Sequence, residues 1–321
     1  MLDILQVTFP FFALVLCGYV AARWRMLPFE AISGLNSFVL YFALPCMLFR
    51  FGAATPVSHL LDAAALGVYL LCALVLVVAV VWASMNRHIR WNDAAFGALV
   101  AVFPNTGFMG VPLLVALLGA AAAGPAILTL TVDLMVTTSL CIGLSRLDGA
   151  DEHGAADAAR KALKGMALNP MAWSIALGAM ASALQLEPVR PVRQTLGLLA
   201  DAASPVALFT IGAVLARAQY VAALEAHDPM PLRDYLPIVL VKLLVHPLLV
   251  LGVGSSAIAM GAPLGRFTLE VMVLVAALPS ASNVSVLAER FGADTGRIAR
   301  IILLTTALAF LSFSGAVALL R

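Results

Sequence analysis

Two short stretches of this chain concentrate residues that could hold a negatively charged ligand without a metal or a nucleophile. The first is Phe103-Pro104-Asn105-Thr106-Gly107-Phe108-Met109-Gly110-Val111-Pro112, and the second is Leu278-Pro279-Ser280-Ala281-Ser282-Asn283-Val284-Ser285. Proline lacks an N–H and collides with the preceding helical turn, and glycine loosens the backbone, so neither stretch continues a straight helix. A helix interrupted there leaves C=O groups at the end of its first half and N–H groups at the start of its second. The N-terminal ends carry partial positive charge, which favours an anion. Pro104, Asn105, Thr106 and Gly107 in the first stretch, with Pro279, Ser280, Ser282 and Asn283 in the second, are therefore the candidate substrate-binding residues. Their amides and hydroxyls can donate to a carboxylate. The plainer reading is that they only satisfy backbone groups that the prolines set free.

Three ionisable residues lie inside apolar runs, where such groups are costly and usually paired or functional: Asp133, Lys242 and His246. They are the candidates for ion or proton coupling. Asp133 can carry a proton, or it can stay hydrogen-bonded to Thr129 or Thr137. Lys242 can be a counter-charge for an anion or for Asp133, or its long stem can lift the ammonium to the lipid headgroups. His246 follows one helical turn later on the same face, directly before Pro247. No metal site is expected. Cys17, Cys46, Cys72 and Cys141 share no ligand spacing, and neither do His59, His88, His153 and His227. No cofactor motif is present. Nothing offers a paired Ser and His, two close Asp residues or an HExxH helix, so an intramembrane enzyme is a remote alternative.

The elements that must position these residues follow from composition. Of 321 residues, 63% are hydrophobic and 11% are charged. A soluble domain carries roughly a quarter charged residues, so a water-facing surface cannot be built, and a nucleic-acid partner is excluded on the same ground. The charges collect between apolar runs of about 20 residues, the length that crosses a bilayer as a helix. Ten spans are expected, at 4–22, 32–50, 60–84, 94–118, 122–146, 168–186, 194–216, 234–258, 267–289 and 297–320. The fold class is all-α membrane protein, since lipid tolerates only helices or closed barrels and these segments are too long for tilted strands. Thirteen Lys and Arg residues fall after odd-numbered spans and five on the other side, with Lys242 inside a span. By the positive-inside rule both termini are outside and the loop at 148–165 is cytoplasmic.

The chain also resembles itself. An offset of 160 aligns Pro10 with Pro170, Gly18 with Gly178, Pro28 with Pro188, Pro45 with Pro205, Phe49 with Phe209 and Gly52 with Gly212. An offset of 175 aligns Pro104 with Pro279. Residues 1–147 and 166–321 thus read as two repeats of five spans each. An odd number of spans puts the second repeat in the opposite orientation, which is the inverted architecture of many secondary transporters. The two Pro-rich stretches occupy matching places, in spans 4 and 9.

Pro104-Asn105-Thr106-Gly107-Phe108-Met109-Gly110-Val111-Pro112-Leu113-Leu114 resembles the fourth-span motif of the auxin efflux carrier family. That family includes plant auxin exporters and bacterial carriers of malonate and other carboxylates. Ser33-Gly34-Leu35-Asn36 with Phe42-Ala43-Leu44-Pro45 resembles its second span, and Ala207-Leu208-Phe209-Thr210-Ile211-Gly212 its seventh. Lys242-Leu243-Leu244-Val245-His246-Pro247 resembles its eighth, and Ala277-Leu278-Pro279 with Ala288-Glu289-Arg290-Phe291-Gly292 its ninth. The resemblance implies a bile-acid-symporter-like fold. Spans 1, 2, 6 and 7 would form a scaffold that makes a homodimer, and spans 3–5 and 8–10 a transport domain in which spans 4 and 9 cross at their breaks. It also implies an elevator motion and a substrate carboxylate at Asn105. Where the plant exporters have a glutamine after the ninth-span proline, this chain has Ser280, and its cytoplasmic loop is short. Both departures favour a small carboxylate over auxin.

The expected function is secondary transport of small organic anions across a bacterial inner membrane, with H⁺ or Na⁺ as the candidate coupling ion. A sodium-coupled symporter on the same fold is the nearest alternative. An inside-negative potential opposes anion entry by about 2.3 kcal/mol per charge at 100 mV, so uncoupled carriage favours export and uptake against a gradient needs co-transported H⁺ or Na⁺.

Overall fold

The structure is a computed structural model that describes residues 2–54, 62–85, 89–146, 170–186, 188–225 and 231–320. The expected cytoplasmic loop at 148–165 and four of the five histidines lie outside the described residues. Among the described residues every regular element is helical, and the single β-type pairing is an isolated antiparallel bridge between Pro104 and Ser280.

Among the described residues, apart from the short helical turn Leu232–Asp234, twelve helical segments follow in order: α1 (Leu2–Arg23), α2 (Ala31–Ala54), α3 (Ala63–Ser84), α4 (Trp91–Val102), α5 (Thr106–Leu118) and α6 (Ala120–Ser145). After these come α7 (Pro170–Ala183), α8 (Arg190–Glu225), α9 (Leu236–Ala259), α10 (Arg266–Ala276), α11 (Asn283–Phe291) and α12 (Thr295–Leu320). Seven of them, α1, α2, α3, α6, α8, α9 and α12, are long and apolar enough to cross a membrane. The protein is a multi-pass membrane protein. α3 shows the reason plainly: 22 residues without one Asp, Glu, Lys or Arg rise about 33 Å, matching a hydrocarbon core of about 30 Å. The other three expected spans coincide with shorter helices: α7, the pair α4 and α5, and the pair α10 and α11.

The chain divides into two compact units. One comprises Met1–Asp62, Thr106–Leu128 and Asn169–Val221. It is held by two close helix crossings at glycines. A Cβ at Gly18 of α1 would fall 1.8 Å from the Phe209 carbonyl oxygen of α8, and one at Gly212 would fall 1.8 Å from that of Val15. In the second crossing, Cβ atoms at Gly178 of α7 and Gly52 of α2 would lie 2.5 Å from Phe49 O and 3.0 Å from Ile175 O. Small residues let backbones approach where lipid supplies no hydrophobic drive for association. Beside these crossings Arg50 pairs with Asp201 at 2.6 Å. Ala22, Ile32, Ala213 and Ala216 form a buried cluster, with the Arg25 guanidinium lying over the Phe29 and Tyr220 rings.

The other unit comprises Ala63–Asn105, Thr129–Leu168 and Ala222–Arg321. α4 is at its centre: every residue from Ala94 to Val102 is buried. α10 is similar, with Val271 to Ala276 all buried. One end of the unit is closed by Arg297 of α12, which is 3% exposed. Its Nε–H donates to Asp234 O at 2.8 Å and its Nη1–H to Asp93 O at 2.9 Å, tying the entrances of α9 and α4 to α12. Gly97 leaves the room this guanidinium occupies, since a Cβ there would sit 3.1 Å from Nη1.

Candidate functional site

α4 stops at Val102 because Pro104 cannot donate and forces its predecessor out of helical geometry; Phe103 has φ −80° and ψ 104°. α10 stops at Ala276, three residues before Pro279. The two non-helical stretches lie antiparallel. Asn105 N–H donates to Pro279 O at 2.8 Å, and Ala281 N–H donates to Phe103 O at 3.0 Å. Asn105 is 3% exposed and Ser280 is 1% exposed. Pro104, Asn105, Pro279 and Ser280 are thus brought together within one unit. Ser282 and Asn283 follow at the start of α11. Ser282 makes no side-chain cap there, and Asn283 leaves a buried Oδ1 without a partner. Thr106 and Gly107 are buried and begin α5, which belongs to the other compact unit.

Each interruption leaves carbonyls that the helix no longer uses, and the structure shows what takes two of them. Val100 O would accept from the N–H of residue 104, but that residue is proline. Ser280 Oγ–H donates to it instead, at 2.7 Å. The N–H of Ser280 is itself turned away to Thr305 Oγ1 of α12, at 3.3 Å. Ala276 O, which would have accepted that N–H, receives Lys242 Nζ at 3.0 Å. The Lys242 side-chain nitrogen therefore sits at the end of α10. Ser280, singled out as a donor to substrate, already commits its hydroxyl proton to a carbonyl.

Lys242 does not reach for headgroups. It is 0% exposed, and its Nζ also lies 3.2 Å from His246 Nδ1. Asp133 on α6 is within electrostatic reach of it. Tyr69 of α3 donates its O–H to Asp133 Oδ2 at 2.8 Å, and Thr137 donates to Oδ1 at 3.2 Å. Asp133, Tyr69, Lys242 and His246 are all fully buried. Asp133 opens one π-helical turn, Asp133–Thr137, and Lys242 lies in another, Val241–Val245. Such turns insert an extra residue, re-aim side chains and recur at functional sites. Three residues of this arrangement were missed by sequence reasoning: Tyr69, Thr305 and the backbone of Ala276. A tyrosine inside the most apolar span was a usable signal. A carbonyl carries none. No group of His, Cys, Asp and Glu that could hold a metal occurs among the described residues.

Comparison with known proteins agrees with this architecture in kind. A family model described as membrane transport protein matches residues 3–317. A Rhizobium meliloti (strain 1021) protein named "Putative malonate transporter" is 29% identical over 326 residues, covering 100% of this chain and 97% of the relative. "Uncharacterized transporter YfdV" of Escherichia coli (strain K12) is 26% identical over 291 residues, 89% of this chain and 88% of the relative. "Auxin efflux carrier component 7" of Arabidopsis thaliana is 29% identical over 120 residues, 36% of this chain and 19% of the relative. The family and these relatives are transporters, not enzymes.

Proposed function

We propose that this chain, which belongs to the membrane transport protein family that includes the auxin efflux carriers, carries small organic anions across the membrane by alternating access. The observation that carries the reading is the buried antiparallel crossing of the Pro104 and Pro279 stretches. Interrupted segments at matching places in two halves are where transporters hold substrate. Asn105 is the residue proposed to meet the carboxylate, with the polar helix starts that follow Pro104 and Pro279. Malonate or a similar short carboxylate is the proposed substrate class, supported by the name of the Rhizobium relative.

The reading takes the fold as ten spans in a 5+5 inverted repeat. Support comes from the glycine crossings. Gly18 meets Phe209 O and Gly178 meets Phe49 O, while Gly212 meets Val15 O and Gly52 meets Ile175 O. Each pair of contacts is related by the same offset of 160 that relates the sequence halves, as a two-fold relation between repeats requires. In the elevator scheme, spans 3–5 and 8–10 move the crossing past spans 1, 2, 6 and 7. Support for two bodies comes from the compact unit that contains the latter four, which also takes in Thr106–Leu128. The charge division supports reading both termini as outside, in a bacterial inner membrane.

The test is uptake of radiolabelled malonate into proteoliposomes, with thermal stabilisation of the detergent-purified protein by mono- and dicarboxylates. Asn105→Ala is expected to abolish uptake and carboxylate stabilisation while the protein remains folded and monodisperse. Wild-type uptake by that variant would refute the site.

A further inference from the structure

The two carbonyls freed at the crossing, Val100 O and Ala276 O, are satisfied by different chemistry. Val100 O receives a neutral hydroxyl from Ser280, whereas Ala276 O receives an ammonium from Lys242. The first case shows that a neutral donor suffices for such a carbonyl. A lysine nitrogen, buried beyond solvent reach, is more than that task needs. Around Lys242 Nζ stand the Ala276 carbonyl, the Nδ1 lone pair of His246 and the nearby Asp133 carboxylate, itself held by Tyr69 and Thr137. As an ammonium Lys242 has donors only, and His246 would then accept at Nδ1 and carry its proton on Nε2, which has no partner. These are electron-pair donors without a second cation among them. A carbonyl at the negative end of an interrupted helix, with a carboxylate nearby, offers the oxygens that a monovalent cation takes in transporters.

We propose that Lys242 is a tethered cation occupying a monovalent-cation site at the end of α10, so that the Pro279 crossing is held without a free coupling ion. Lys242 is a positioning residue: it fixes Ala276, three residues before Pro279, and so the path of the chain into Ser280. The site is distinct from the one proposed for the anion. In deepening the carrier reading, the inference rests on that reading only for its transport arm. Its binding arm stands on the geometry of one unit. Removing the side chain should leave a cavity lined by Ala276 O, Asp133, Tyr69 and His246 that takes an alkali cation from solution.

The experiment compares full-length wild type, Lys242→Ala and the double variant Lys242→Ala with Asp133→Asn. Thermal unfolding is followed in choline, lithium, sodium and potassium chloride at constant ionic strength. Wild type is expected to unfold at one temperature in all four salts. Lys242→Ala is expected to unfold earlier in choline and to recover saturably with sodium or potassium, while the double variant does not respond. Malonate uptake by Lys242→Ala should become dependent on the same cation, a change that loss of packing would not produce. A folded Lys242→Ala that is indifferent to every alkali cation overturns the proposal. If Lys242→Ala folds in none of the salts, wild type decides: stabilisation by sodium or potassium over choline overturns it, and indifference supports it. Absence of malonate uptake by the wild type would sink the carrier reading while leaving the thermal result intact.

Discussion

Replacing Ser280 by Ala isolates one hydrogen bond at the crossing. The substitution removes only the hydroxyl, at a position that is 1% exposed. It leaves Val100 O without its 2.7 Å donor. The usual helical substitute would be the N–H of residue 104, and Pro104 has none. The neighbouring N–H groups are committed: Phe103 N–H goes to Leu99 O, and Asn105 N–H goes to Pro279 O. A buried carbonyl deprived of its partner costs about 1–3 kcal/mol, so about 2 kcal/mol is the expected loss. With an unfolding entropy of about 2.1 cal/mol/K per residue over 321 residues, Tm should fall by about 3 °C. The assay is thermal unfolding of the purified protein by intrinsic fluorescence. Ser280→Cys, which keeps a weak donor, should fall between the two. An unchanged Tm in Ser280→Ala would mean that Val100 O has another partner, and the account of how the crossing is satisfied would fail.

Three further outcomes are expected. If Asp133 carries a proton with the substrate, uptake rises as pH falls and Asp133→Asn makes the profile flat; Tyr69, Cys141 and Lys242 face the same carboxylate, and an unchanged profile would remove Asp133 from that role. Arg297→Lys replaces a fork that reaches two carbonyls from separate nitrogens, Nε and Nη1, by a single nitrogen, so it should cost about 2 kcal/mol, the worth of one charge-assisted hydrogen bond; a Tm within experimental error of wild type would contradict this. Gly18→Ala places a methyl 1.8 Å from a backbone oxygen that cannot rotate away, and it should reduce stability by about 3 kcal/mol or prevent assembly. Gly34→Ala, where nothing lies within 4 Å, is the control and should be neutral in size-exclusion profile and Tm.

The sequence and the structure meet at different depths. Pro104 and Pro279 were visible as helix stops because proline acts on its own backbone, whatever surrounds it. Gly18, Gly52, Gly178 and Gly212 stood out as repeat positions, yet their role as two matched helix crossings needed coordinates. Ser280 was legible as a polar residue at an interruption. Its commitment to Val100 O, 180 residues earlier, was not. Lys242 read sooner as reaching the headgroups than as buried, since the same flexible stem serves either end.

What the amino-acid order determined alone is local or additive: apolar lengths that require a bilayer and prolines that end helices. Those effects depend on a residue's own backbone and on transfer between water and lipid. Tertiary structure alone decided which freed carbonyl takes which donor, and hence that a lysine nitrogen, not a hydroxyl, stands at the end of α10. The reason is that such a choice is made across helices distant in the chain, by distance and burial that no spacing along one segment encodes.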